Sequence, residues 1–135
     1  MVKQVIVIKT SFLGSFFCRN RMLAQGAHVS MMWLSEEIKA FCQQTDHIVS
    51  KWHHFFTPEQ NEWINGLCSR IYVRVNTEKK LIDIYNKAKE ANLTVYMITD
   101  AENTEFHGIA TKTCLAIGPH EADKIDAITG HLKLL

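Results

Sequence analysis

The chain has 135 residues, 47% of them apolar and 21% charged, with a formal net charge of +1. This is ordinary globular composition for one domain, and the length suffices to bury a core without disulfides or a metal. Disorder and coiled coil fit poorly, no apolar run approaches the ~18 residues of a membrane span, and the near-neutral charge excludes a broad basic nucleic-acid binder while leaving room for a local basic site.

Residues 4–9, a Val/Ile run, predict a buried central strand. Residues 10–18 have no period and read as a loop. A long helix is predicted from Asn20 to Phe41, with Leu23, Ala27, Met31, Leu34, Ile38 and Phe41 as one inward apolar stripe. Residues 43–57 read as a loop. Thr57-Pro58-Glu59 then starts a short helix, with Thr57 as cap, that stops near Gly66. A second strand runs from about Ser69 to Asn76, and a helix follows from Thr77 to Ala91. Leu93–Thr99 is a third strand, with Asp100 directly at its end. After a loop of about ten residues, Thr113–Ile117 is a fourth, and Gly118-Pro119 is expected to open the last helix, which stops at Gly130. The predicted fold class is therefore α/β: a single domain over residues 1–135, with a mixed, mostly parallel four-stranded sheet flanked by helices.

Cys18, Cys42, Cys68 and Cys114 include no C-x-x-C pair, so buried free thiols are expected rather than a zinc knuckle or redox dithiol. Met1–Lys9 lacks the features of a signal peptide, which makes the cytoplasm the expected compartment. His53 and His54, with His47 nearby, point in different directions on any regular element and read as surface or loop residues, so no metal site is expected. No dinucleotide, P-loop, zincin or nucleophile-elbow motif is present.

Two constellations can carry chemistry. Arg21, Gln25 and His28 lie at i, i+4 and i+7, on one polar stripe of the long helix. Arg19 and Arg21 sit at or just before its first turn, where cations are unfavourable unless an anion such as a phosphate explains them; a solvated helix start is the plainer reading. Asp100 stands at the carboxyl end of a strand, where α/β sheets bind ligands, and can orient or deprotonate a water there. A helix-cap or Asx-turn aspartate is the alternative.

Five segments in order give the chain a resemblance to the type 2 peptidyl-tRNA hydrolases, the archaeal and eukaryotic class. Gln4–Lys9 resembles the family's first strand. Ala24-Gln25-Gly26-Ala27-His28 matches its AQxxH signature, and Asp100-Ala101 with Thr104 its DAGxT segment. Thr111–Pro119 resembles its T-x-T-x-L-G-I-G-P run, with Ala116 for one glycine, and Ile128–Leu135 its ending. The resemblance implies metal-independent hydrolysis, without cofactor, of the ester between a peptide and the 3′ ribose of tRNA. It carries the family's catalytic positions onto Arg21, Asp100, Thr104 and Thr113, and substrate contact onto Arg19, Gln25, His28, Thr111 and Lys112. It also implies peptidyl-tRNA as partner, a homodimer and no membrane association.

The chain departs from the family pattern in three places. Cys18-Arg19-Asn20-Arg21 replaces the family's GKGK run; arginine keeps the charge but cannot give up a proton. Glu102 replaces the glycine of DAGxT, and the loop before Arg19, with Phe12, Phe16 and Phe17, is about three residues longer, as the Glu105–Thr113 loop is by about one. The alternative function is accordingly a weakened or inactive paralogue that binds RNA or a protein partner. With so little net charge, contact with tRNA must come from a focused patch, for which Arg19, Arg21 and Lys112 are the candidates, and salt dependence should be gentle.

Overall fold

A computed structural model of the chain describes residues 1–10, 16–44, 56–100 and 110–135. Among them the order is β1 (Val2–Lys9), α1 (Phe16–Gln44), α2 (Pro58–Asn65), β2 (Arg70–Val75), α3 (Glu78–Glu90), β3 (Val95–Asp100), β4 (Thr111–Glu121), α4 (Ala122–Thr129) and β5 (Lys133–Leu134). The expected α/β class holds, but the sheet has five strands in the order β3-β4-β1-β2-β5.

The sheet is mixed and mostly antiparallel, which corrects the mostly parallel expectation. β1 and β2 pair in parallel, because the chain returns through α1 and α2. No helix is described between β3 and β4; they pair directly and antiparallel, and β4 also pairs antiparallel with β1. β1, β2 and β3 still run the same way, so their carboxyl ends share one edge with the start of β4.

The core has two faces. α3 and α4 press Leu81, Ile84, Ala88, Ile125 and Ile128 onto Val5, Val7, Val73, Val75, Leu115 and Ile117. α1 covers the other face, where Val29 meets Ile6, Ile8, Cys114 and Ala116. A third cluster joins α1 to α2 through Trp33 and Trp63, whose rings meet edge-on at 5.8 Å.

The rotation of α1 differs from the apolar-stripe expectation. Leu23 is 68% exposed, Met31 42% and Ile38 36%, whereas Gly26, Val29, Ser30, Trp33 and Phe41 are buried. Close approach and polar anchoring decide this. A Cβ on Gly26 would lie 3.1 Å from Tyr72 Cε1, so the glycine lets the helix backbone lie against the sheet. The Ser30 hydroxyl donates to Gln4 Oε1 at 2.6 Å, Gln4 Nε2 donates to the Ser30 carbonyl at 2.9 Å, and Arg70 Nε donates to Ser30 Oγ at 2.7 Å. Gln4 is wholly buried, so turning α1 away would strand its amide, at about 1–3 kcal/mol.

Other boundaries follow local chemistry. Thr57 and Gln60 form a reciprocal capping box on α2, and the Thr77 hydroxyl caps α3. Gly118-Pro119 does not open a helix. β4 continues through it to Glu121, because β1 begins far enough upstream to pair Val2 with Glu121 and Lys3 with His120. Gly118 has φ +94°, and a Cβ there would meet Lys3 O at 2.8 Å, so only glycine fits. The expected loop over 10–18 ends early, since α1 begins at Phe16. Cys42 is exposed and Cys68 half-buried, against the expectation of buried thiols; Cys114 alone of the described three is buried.

Candidate active site

Asp100 closes β3 at the carboxyl edge, and α1 supplies what meets it. Arg21 Nε and Gln25 Nε2 each donate to Asp100 Oδ2 at 2.8 Å, and a second guanidinium nitrogen of Arg21 lies 2.8 Å from the same oxygen. The i, i+4 spacing puts both donors on one helix face. α1 starts at Phe16, so Arg21 belongs to its second turn, and the anion that explains this cation is a carboxylate of the protein itself. The Asp100 side chain is 12% exposed and that of Arg21 33%. A partly shielded, charge-assisted pair of this kind fixes the carboxylate's orientation more firmly than a solvated one.

A bulge sets the other wall. Ile98 pairs with Cys114, but Thr99 pairs with Lys112 and Asp100 with Thr111, so β4 carries one extra residue here. Tyr96, Ile98 and Cys114 belong to the α1 face, and the extra residue brings Thr111 onto that face, opposite Asp100. Thr113 goes the other way. It is fully buried, and its Oγ1 has no hydrogen-bond partner among the described residues. Bulges are enriched beside active sites because they re-aim side chains in this manner.

The sequence-predicted residues therefore divide. Arg21 and Gln25 meet Asp100, and Thr111, itself buried, is the cross-strand partner of Asp100. Thr113 is sealed inside, His28 and Arg19 are exposed on α1, and Lys112 is half-buried with its backbone N–H donating to Glu78 Oε1 at 3.3 Å. Thr104, Glu102 and the loop to residue 109 lie outside the described residues, as do His47, His53 and His54, the Phe12 segment and the side chains of Phe16, Phe17 and Cys18. Beneath the site, Cys114 donates to the Gln25 carbonyl at 3.7 Å, and burial pushes its thiol pKa up to about 12. Among the described residues no group of three or more His, Cys, Asp or Glu could hold a metal, and no helix is long and apolar enough to cross a membrane.

Sequence reasoning missed the Gln4–Ser30–Arg70 tie that fixes how α1 presents Arg21 and Gln25. A glutamine inside a Val/Ile strand was its available signal. It also missed a cavity of about 610 Å³ between α3, β2 and β5, away from Asp100.

Comparison with known proteins adds to this geometry. The family model described as Peptidyl-tRNA hydrolase PTH2 matches residues 2–135. A peptidyl-tRNA hydrolase of Methanocaldococcus jannaschii is 37% identical over 134 residues, covering 99% of this chain and all of the relative. One from Methanothermobacter thermautotrophicus is 32% identical, covering 99% of this chain and all of that protein. A probable peptidyl-tRNA hydrolase 2 of Dictyostelium discoideum is 30% identical, covering 98% of this chain and 54% of its own length.

Proposed function

The chain belongs to the Peptidyl-tRNA hydrolase PTH2 family, and on that premise we propose how it hydrolyses the ester joining a peptide to the 3′ ribose of tRNA. The observation that carries the reading is the convergence of Arg21 and Gln25 on one oxygen of Asp100 at the carboxyl edge of the sheet. Asp100 takes a proton from a water as that water attacks the ester carbonyl, and the ribose 3′ oxygen leaves with a proton, giving a free peptide and tRNA. Arg21 and Gln25 hold the carboxylate in line. Thr111 and Thr104 are the hydroxyls proposed to meet the substrate, and Arg19, His28 and Lys112 the polar surface around it. No metal enters this scheme.

The experiment is single-turnover and steady-state hydrolysis of peptidyl-tRNA by the wild type and Asp100→Asn. Asparagine keeps the shape and removes the base, so kcat should fall by about 10²–10⁴. Undiminished turnover in Asp100→Asn removes the mechanism, and none in the wild type removes the function.

A homodimer in the cytoplasm completes the proposal. The exposed row of Leu23, Met31 and Ile38 on α1 supports a partner surface. A monomer mass by light scattering at assay concentration would contradict the dimer.

A further inference from the structure

The cavity of about 610 Å³ lies between α3, β2 and the chain around β5. Its lining includes Lys80 and Lys87 with one acid, Asp83, on α3, and Arg74 and Lys133 on the β2–β5 edge, in a chain whose formal total is +1. Among the described residues, none of these four cations is in an ion pair. Lys80 donates instead to the neutral Asn76 Oδ1 at 3.0 Å. Val73 and Val75 face the α3 core, so alternation turns Arg74 and its cross-strand partner Lys133 to the other side of the sheet edge. Lys80 and Lys87 stand on the α3 wall, while Arg74 and Lys133 project from the far side of the β2–β5 edge.

Two spacings identify the ligand. Lys80 and Lys87 are two helical turns apart, roughly 10 Å at 1.5 Å per residue. A stacked nucleic-acid strand covers that in about three nucleotides at ~3.4 Å each. Val75 and Asn76 line the cavity at the end of β2, on the sheet edge that also carries Asp100. In the order β3-β4-β1-β2-β5, β2 is three strand spacings from β3, or ~14 Å at about 4.8 Å each. That is about four stacked nucleotides.

We propose that this cavity holds the ribose-phosphate backbone of the substrate RNA about four nucleotides from the ester at Asp100, with Lys80 and Lys87 each against a phosphate. The placement of the ester rests on the hydrolase reading above; the cation spacing does not.

The test is binding of uncharged tRNA to the full chain by fluorescence anisotropy over a salt series, with wild type beside Lys80→Ala/Lys87→Ala and Asp83→Asn. A unit-charge contact near 4 Å in water is about a fivefold factor, so the lysine double variant should weaken binding about 25-fold at low salt. The slope of log Kd against log salt should fall by about 1.4–1.8, at 0.7–0.9 per phosphate. Asp83→Asn should tighten binding severalfold, a gain that no folding defect produces. An unmoved Kd and slope in the lysine variant, or weaker binding by Asp83→Asn, overturns the proposal. Hydrolysis is scored separately. Turnover without these binding effects overturns the cavity assignment alone, and the binding effects without wild-type turnover support the cavity and overturn the hydrolase reading alone.

Discussion

Gly26→Ala tests whether the closeness of α1 to the sheet aligns the candidate site. The added Cβ would sit 3.1 Å from Tyr72 Cε1 and 3.6 Å from Ile8 Cδ1. Carbon pairs rest at about 3.5–4.0 Å, so the first gap must open by roughly 0.4–0.9 Å, shared between the Tyr72 ring and the helix. Overpacking of this kind costs about 1–3 kcal/mol. Alanine in place of a helical glycine returns about 1 kcal/mol. The net is a loss of about 0–2 kcal/mol, or a Tm lower by a few degrees for a chain of this size. Activity should suffer more. Gln25 precedes the altered residue and Arg21 lies one turn further back, and both must stay within 2.8 Å of Asp100 Oδ2. If a 1 Å misplacement costs about a hundredfold, half of that costs about tenfold in kcat/KM. The assay is peptidyl-tRNA hydrolysis beside thermal unfolding followed by circular dichroism, for Gly26→Ala, Tyr72→Leu and the double variant. Trimming the ring removes the clash, so the double variant should recover much of the lost turnover. A Gly26→Ala protein with higher Tm and wild-type turnover would refute the reasoning, because the helix would then have room to spare.

The buried threonine and cysteine give two further predictions. Thr113→Val replaces a fully buried hydroxyl that has no hydrogen-bond partner among the described residues by a methyl of the same shape. Stability should rise by about 1 kcal/mol in chemical denaturation, with kcat within about threefold of wild type; a hundredfold loss would return Thr113 to the catalytic set. Burial holds the Cys114 thiol protonated up to about pH 12, so peptide mapping after iodoacetamide at pH 8 should find exposed Cys42 alkylated and Cys114 not. The sign for stability follows. An unfolded thiol ionises near its ordinary value of about 8.5 while the folded one does not, so Cys114 contributes a loss of stability as pH rises from there towards about 12. A Cys114→Ala variant should show a shallower alkaline decline in melting temperature than the wild type, and an identical decline would count against this.

Local chemistry was legible in the sequence, and long-range pairing was not. The Thr57 cap with Pro58 acts within one helical turn, and the structure starts α2 where it says. The rotation of α1 hangs on Gly26 against Tyr72 and on Ser30 between Gln4 and Arg70, contacts far apart in the chain. A hydrophobic period cannot see them, and it selected Leu23, Met31 and Ile38, which are outside. β5 is two residues long, too short for any pattern, and exists because its residues pair with Val73 and Arg74.

The site divides along the same line. Asp100 was readable from its place at a strand end, and Arg21 with Gln25 from helical spacing, because each needs only one element's geometry. Thr111 and Thr113 differ by a single bulge, set where β3 and β4 pair. A period-2 reading gives both threonines the same face, whereas one extra residue sends Thr111 towards Asp100 and seals Thr113. Net charge misleads for a related reason. A total of +1 sums over surfaces that never meet, while the fold sets Lys80 and Lys87 on one cavity wall with a single acid, Asp83. The local excess, rather than the total, sets how steeply RNA binding falls with salt. The gentle salt dependence expected from Arg19, Arg21 and Lys112 alone should therefore steepen by the phosphates that Lys80 and Lys87 neutralise.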